Sequence, residues 1–317
     1  MFKILGTGHF LPERVVSNDE LSEIVETSDE WISKRTGIRR RHIATTETTS
    51  SMGTEAAKNA LEMAGVKPEE LDLIIGTTGT GDNVTPGVAC AVQKNIGADC
   101  PAFDISSGCS GFMVAMDIAA KYMKSGAAKK VLIVSSETMS RYTDWTDRST
   151  CVLFGDGAGA VVLGEGDNLL SIKINTHGNT EFVGIHGAKG NCPYAEPSET
   201  NDSFTFMNGP ETYKYAIGAM SGDIIEAAEL AGVDVRDIDH IIPHQANLRI
   251  IMATQSKLDI PMEKFCVEIE DMGNTSSSTE PIVLDIENRR GRFKEGDLVA
   301  FTAFGAGLTD GGAIYRW

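Results

Sequence analysis

Apolar positions along the chain follow two spacings. Short continuous runs recur, such as LDLII at 71–75, VLIV at 131–134, AVVL at 160–163 and LVAF at 298–301. Runs of this kind predict strands buried on both faces. Between them lie stretches in which apolar residues return every three or four positions, as at Phe112, Met116, Ala119 and Met123. These predict amphipathic helices. Strands alternating with helices indicate an α/β architecture.

The pattern occurs twice. ALEMAGVKPEELDLII at 60–75 matches AAELAGVDVRDIDHII at 227–242, with Ala60, Glu62, Ala64, Gly65, Val66, Asp72, Ile74 and Ile75 recurring 167 residues later. Each copy reads as a helix closed by glycine, an acidic turn and a buried strand. VLIV maps onto LVAF at the same offset. DGAGAVVL at 156–163 then resembles DGGAIYRW at 310–317, offset by 154. About 13 extra residues are therefore expected in the first half, within 139–151. The chain is expected to divide into duplicated halves, 1–168 and 169–317, joined at GEGDN. The stretch 176–203, rich in Gly, Asn, Pro, Ser and Glu, predicts a surface loop near a binding face.

Composition narrows the function. No stretch approaches the roughly 20 apolar residues of a membrane helix, and the N-terminus does not read as a secretory signal, so a cytoplasmic location is expected. A net charge of −17 argues against nucleic-acid binding. One basic cluster stands out: Lys34, Arg35, Arg39, Arg40 and Arg41, beside His42. It reads either as a solvated run or as a docking patch for an acidic partner. The six cysteines, at 90, 100, 109, 151, 192 and 266, show no metal-type pairing. No metal site is expected.

Cys109 is set apart by its surroundings. AFDI at 102–105 predicts a strand, SSGCSG a turn of small residues, and FMVAMDIAAKYMK a helix. A cysteine on such a strand-turn-helix elbow is held open to substrate. The helix N-terminus would favour its thiolate. His244, in IIPHQANLR, follows the repeated strand at the end where open α/β sheets bind ligands, as a turn residue or a catalytic group. Asn274, in GNTSSS, opens the corresponding turn of the second half, 165 residues after Cys109. It reads as a helix cap or as a member of a site shared with Cys109. FGAGLTDGG at 304–312 supplies glycine-rich backbone N–H groups that could face an oxyanion.

DISSGCSGF, PHQANLR, GNTSSS and FGAG, in that order, resemble the β-ketoacyl-acyl-carrier-protein synthase III family. GTGHFLPERVVSNDEL, TSDEWISKRTGIRRRHIA, TDRST and FGDGAGAVVL extend the resemblance along the whole chain. It implies a thiolase-like fold, two duplicated halves in a layered αβαβα arrangement. It also implies the initiating condensation of type II fatty acid synthesis: acyl-CoA and malonyl-acyl-carrier protein give 3-oxoacyl-acyl-carrier protein, CoA and CO2. Cys109 would carry the acyl group, His244 and Asn274 would hold the malonyl thioester carbonyl, and the N–H groups of Cys109 and Ala306 would hold the oxyanion. Thr27, Trp31, Arg35, Arg148, Gly209, Tyr213, Asn247 and Phe304 would contact CoA or substrate. Arg249 and Lys214 would dock the carrier protein. No cofactor is implied, because the CoA thioesters are substrates. A homodimer is implied.

The chain departs from the family pattern at Ala306, at Asp310 in place of a tryptophan, and at Glu280. Thr85 replaces a phenylalanine often found at the pocket floor, which predicts room for an acyl chain longer than acetyl. A thiolase would need a second cysteine near the last glycine loop, and the last cysteine is Cys266. A hydroxymethylglutaryl-CoA synthase would need a glutamate in the first half, and none occurs between Glu70 and Glu137. A specialised ketosynthase or acyltransferase of secondary metabolism, with a longer or unusual primer, is the alternative. A non-catalytic acyl-binding protein would need no activated thiol.

Overall fold

A computed structural model describes residues 1–187, Tyr194 and 204–317. Cys192 lies outside these residues, as does most of the expected 176–203 loop. The described part of that loop is not wholly irregular. A strand runs to Asn179, and a short ribbon pairs Val183–Ile185 with Thr205–Met207.

The apolar runs form two sheets. The first has five strands in the order Phe2–Phe10, Asp156–Glu165, Val131–Thr138, Leu73–Thr77, Ala102–Ile105. The second has four in the order Leu169–Asn179, Gly307–Arg316, Leu298–Gly305, His240–Pro243. The orders are equivalent, and the parallel and antiparallel pairings match. A bridge from Ile241 to Phe265 stands where the first sheet has its fifth strand.

The ladder corrects one detail of the repeat. Thr138 pairs with Asp156 as Gly305 pairs with Thr309. The final strand is therefore offset by 153 rather than 154, and the first half carries 14 extra residues rather than 13. A one-residue slip reverses which face a side chain occupies. Asp310 is thus not the counterpart of Asp156.

Five layers result. Phe112 and Met116 on helix Gly111–Lys124 and Ile282 and Leu284 on helix Thr279–Arg289 share one core with Ile75, Val131 and Val161 of the first sheet and Val299, Phe301 and Ala313 of the second. These two helices therefore lie between the sheets. Met52, Ala56 and Val92 cover the outer face of the first sheet, from helices Thr49–Ala64 and Val88–Ile96. Ile224, Ala227 and Ile251 cover the second, from helices Gly209–Ala231 and Leu248–Leu258. Burial on both faces explains why the strands read as unbroken apolar runs.

Candidate active site

Both central helices begin at the same end of the sandwich, each after a one-turn 3₁₀ segment. Gly108–Ser110 precedes the helix starting at Gly111, and Ser276–Ser278 precedes the one starting at Thr279. Gly108 turns the chain at φ +52. Gly111 packs so closely that an added Cβ would lie 1.9 Å from Thr77 Oγ1. The small residues around Cys109 are thus required by close approach as well as by the turn.

Cys109 sits half-buried at the junction of two cavities. One, of about 690 Å³, is lined by Cys109, His244, Asn274, Phe304 and Ala306 at its inner end and by Trp31, Arg148, Tyr213 and Arg249 elsewhere. The other, of about 490 Å³, meets Cys109 from the far side and is lined by Met139, Phe154, Ile185, Thr205 and Phe206. Burial pushes the Cys109 thiol up, to about 12; the Ser276 hydroxyl, 3.6 Å away, opposes this, and Glu137 and Glu280 reinforce it. Burial thus works against the thiolate that the helix N-terminus would favour.

His244 extends its strand, its N–H donating to Thr302 O at 2.8 Å. Its Nδ1 lies 2.6 Å from Thr279 Oγ1, and Phe304 packs edge-on at 5.4 Å between ring centres. Nε2 is buried with no partner among the described residues. Burial lowers the imidazole pKa to about 3, so the ring is neutral. Asn274 is held between Leu153 and Gly155 by backbone bonds of 2.9 and 3.0 Å. Its Oδ1 accepts the Ser276 N–H at 2.8 Å, which leaves the amide NH2 to serve as the donor toward the cavity. An added Cβ on Gly305 would lie 2.7 Å from Cys109 N, and one on Gly108 would lie 2.9 Å from Ala306 N. Only glycine at these positions lets the two N–H groups converge.

Trp31, Arg35, Arg148, Gly209, Tyr213, Asn247, Arg249 and Phe304 all line the larger cavity. The guanidinium groups of Arg35 and Arg148 lie 4.5 and 4.8 Å from the centre of the Trp31 ring. Asn247 caps helix Leu248–Leu258, accepting the Arg249 N–H at 2.9 Å.

Four expected features lie away from the two cavities of this single chain or differ in their surroundings. Thr85 is exposed beside fully exposed Val84 and lines neither cavity of the single chain. Lys214 opens instead onto a separate hollow with Glu211, Tyr215 and Asp310. Thr27 is not on the cavity wall; its hydroxyl is buried without a partner among the described residues. The basic cluster is not one positive face. Arg41 is fully buried and donates to Asn18 Oδ1 and Val152 O at 2.8 and 3.0 Å, while Arg39 pairs with Asp29 and Glu270, and Arg40 with Asp271. Only Lys34 and Arg35 stay exposed without an acidic partner among the described residues.

Sequence reasoning did not assign Ser276, Thr279 or Glu137. Glu137 is buried against the elbow, accepting from Thr80 Oγ1 at 2.6 Å and Ser277 Oγ at 2.7 Å, with burial raising its pKa. Its only signal was a polar run, SSET, ending an apolar strand. Among the described residues no group of histidine, cysteine or acidic side chains is arranged to hold a metal ion, and no helix is long and apolar enough to cross a membrane.

The family model for 3-oxoacyl-[acyl-carrier-protein] synthase III matches residues 103–178, and the model for its C-terminal part matches 228–317. β-Ketoacyl-[acyl-carrier-protein] synthase III of Clostridium acetobutylicum is 42% identical over 99% of this chain and 98% of its own. The chain belongs to this family. The Xanthomonas campestris relative is 45% identical with the same coverage. The crystal structure of the Aquifex aeolicus synthase III superimposes with a TM-score of 0.93 at 45% identity, covering all of both chains. A priming β-ketosynthase from the R1128 polyketide pathway gives 0.93 at 36% identity, covering 100% of this chain and 96% of its own. The fold is the thiolase fold of these synthases.

Proposed function

We propose that the chain is the initiating condensing enzyme of type II fatty acid synthesis, with Cys109, His244 and Asn274 as its catalytic residues. The convergence of these three groups on one cavity, with two N–H groups beside the thiol, carries the reading.

In the first half-reaction the Cys109 sulfur attacks the acyl-CoA thioester carbonyl. The Cys109 and Ala306 N–H groups hold the oxyanion, and CoA departs with the proton that Cys109 gives up. In the second, malonyl-acyl-carrier protein enters along the same cavity. Its thioester carbonyl accepts from His244 Nε2–H and the Asn274 amide. The bond to the carboxylate breaks, CO2 leaves, and its electron pair forms the enolate. Neutral donors suffice for the enolate oxygen, and a neutral His244 is what burial dictates. The enolate carbon attacks the acyl-cysteine carbonyl, and Cys109 leaves and is reprotonated.

Trp31, Arg35 and Arg148 suit the flat adenine and phosphates of CoA. Arg249, with Lys34 and Arg35, offers positive charge to an acidic carrier protein at the cavity mouth. No cofactor takes part. The enzyme works as a cytoplasmic homodimer. The resemblance to a polyketide priming ketosynthase keeps a specialised primer as the second reading. Mass spectrometry after incubation with a panel of acyl-CoAs tests both readings. An adduct on Cys109 is expected, and the preferred chain length separates them; absence of any adduct overturns the proposal.

A further inference from the structure

Glu280 is one of the departures from the family pattern, and the structure buries it completely beside the catalytic histidine. Its Oε2 lies 2.8 Å from Thr279 Oγ1, which lies 2.6 Å from His244 Nδ1. The two ends of this row, Glu280 Oε1 and His244 Nε2, are buried and have no partner among the described residues. Three titratable or hydroxyl groups thus form one relay, and a hydroxyl has a single hydrogen to donate. The competing acceptor for the Thr279 hydroxyl, Ser276 O, is more distant at 3.2 Å.

We infer that Glu280 is a positioning residue that decides, through Thr279, which ring nitrogen of His244 carries hydrogen. With Glu280 protonated, its O–H donates to Thr279 and the Thr279 O–H donates to His244 Nδ1. Nδ1 is then an acceptor, and the ring hydrogen sits on Nε2, facing the cavity. With Glu280 ionised, Thr279 donates to the carboxylate and accepts from Nδ1–H. Nε2 is then a bare lone pair and repels the enolate oxygen it should stabilise. The interconversion balances. The Nε2 proton leaves to solvent, the Thr279 hydrogen passes to Nδ1, and the Glu280 hydrogen passes to Thr279.

Burial favours the competent form, holding the Glu280 pKa up at about 8. Helix Thr279–Arg289 packs against strands Phe2–Phe10, Asp156–Glu165 and His240–Pro243 and against the turn Ser276–Ser278. Of the titratable groups on these elements, His9 pairs with Asp285, and His240 with Asp297. Asp156 accepts from Ala44 and Ser140, while Lys3 and Glu165 lie at the far ends of their strands. Cys109 and His244 face it from the site, and Glu137 is held by Ser277 and Thr80. None supplies a cation to hold Glu280 ionised.

The inference rests on His244 acting as a donor to the malonyl thioester, and the test separates the two ideas. Single-turnover CO2 release from malonyl-acyl-carrier protein is followed with pre-acylated enzyme between pH 6.5 and 9.5, for wild type and Glu280→Gln. Each is normalised to its own rate at pH 7, and the ratio of the two at each pH cancels effects on the carrier protein. The glutamine amide can donate to Thr279 but cannot ionise. Wild type is expected to lose about tenfold per pH unit above the Glu280 pKa, and the variant to lose this limb. Nitrogen-15 spectra of histidine-labelled wild type, with His244 assigned by His244→Ala, read the tautomer directly without substrate. Hydrogen on Nε2 at pH 7 and on Nδ1 above pH 9 supports the relay. A limb that persists unchanged in Glu280→Gln, no limb in wild type, or hydrogen on Nε2 throughout overturns it. Failure to acylate Cys109 counts against the catalytic reading alone, because the spectra still report the relay.

Discussion

The Cys109 sulfur lies 3.6 Å from the hydroxyl of Ser276, the residue 167 positions later in the chain. That separation is the repeat offset, so the nucleophile touches its own counterpart across the pseudo-twofold axis. Asn274, which the sequence places opposite Cys109 at an offset of 165, stands two residues earlier and lines the same cavity as Cys109. One half therefore contributes a thiol to the shared point, and the other contributes a small hydroxyl.

Replacing Cys109 with alanine will abolish both the acyl adduct and 3-oxoacyl product. Intact-protein mass and product formation are measured on the same sample. Full condensation by Cys109→Ala would sink the mechanism.

His244→Ala or Asn274→Ala will separate the half-reactions. Each removes one donor from the enolate oxygen and is expected to slow CO2 release by about 10²–10³. The Cys109 adduct still forms. Equal loss of adduct and CO2 release would assign these residues to acylation instead.

Alkylation of Cys109 by iodoacetamide will accelerate steadily with pH. The folded pKa is raised, to about 12, so the thiol predominates at neutral pH and the thiolate fraction grows about tenfold per unit from pH 7 to 9. A rate that levels off near pH 7 would show a depressed pKa and contradict the burial argument.

Trp31→Ala and Arg148→Ala will raise KM for acyl-CoA while leaving kcat near wild type. Loss of a face-on cation and ring contact of about 0.5–2 kcal/mol corresponds to roughly 2–30-fold. An effect on kcat with KM unchanged would move these residues out of CoA binding.

Arg41→Met is expected to cost about 2–4 kcal/mol, because it strands Asn18 Oδ1 and Val152 O without their donor in a dry interior. Thermal unfolding measures it. The acyl-CoA KM should not change, which distinguishes Arg41 from its neighbour Arg35.

The layered fold and the convergence of Cys109, His244 and Asn274 on one cavity were legible because each depends on local pattern. Double-faced burial writes strands as apolar runs, and an elbow needs Gly108 and Gly111 beside Cys109. Duplication then makes the second half readable from the first. Charge was less legible. Lys34 to Arg41 form one cluster in sequence, yet Arg41 points inward and Arg39 and Arg40 meet acids some 230 residues away. The placement of Thr85 was equally illegible: whether a loop lines a pocket depends on where it turns, and nothing local records that.

What the sequence determined by itself was the architecture and which residues, Cys109, His244 and Asn274, meet at one cavity, since these follow from periodicity, repeat and motif. Only the tertiary structure decided their ionisation and hydrogen placement. Desolvation is summed over everything packed around a group, so the protonated Cys109, the neutral His244 and the relay through Thr279 to Glu280 arise from contacts between segments that lie far apart in the chain.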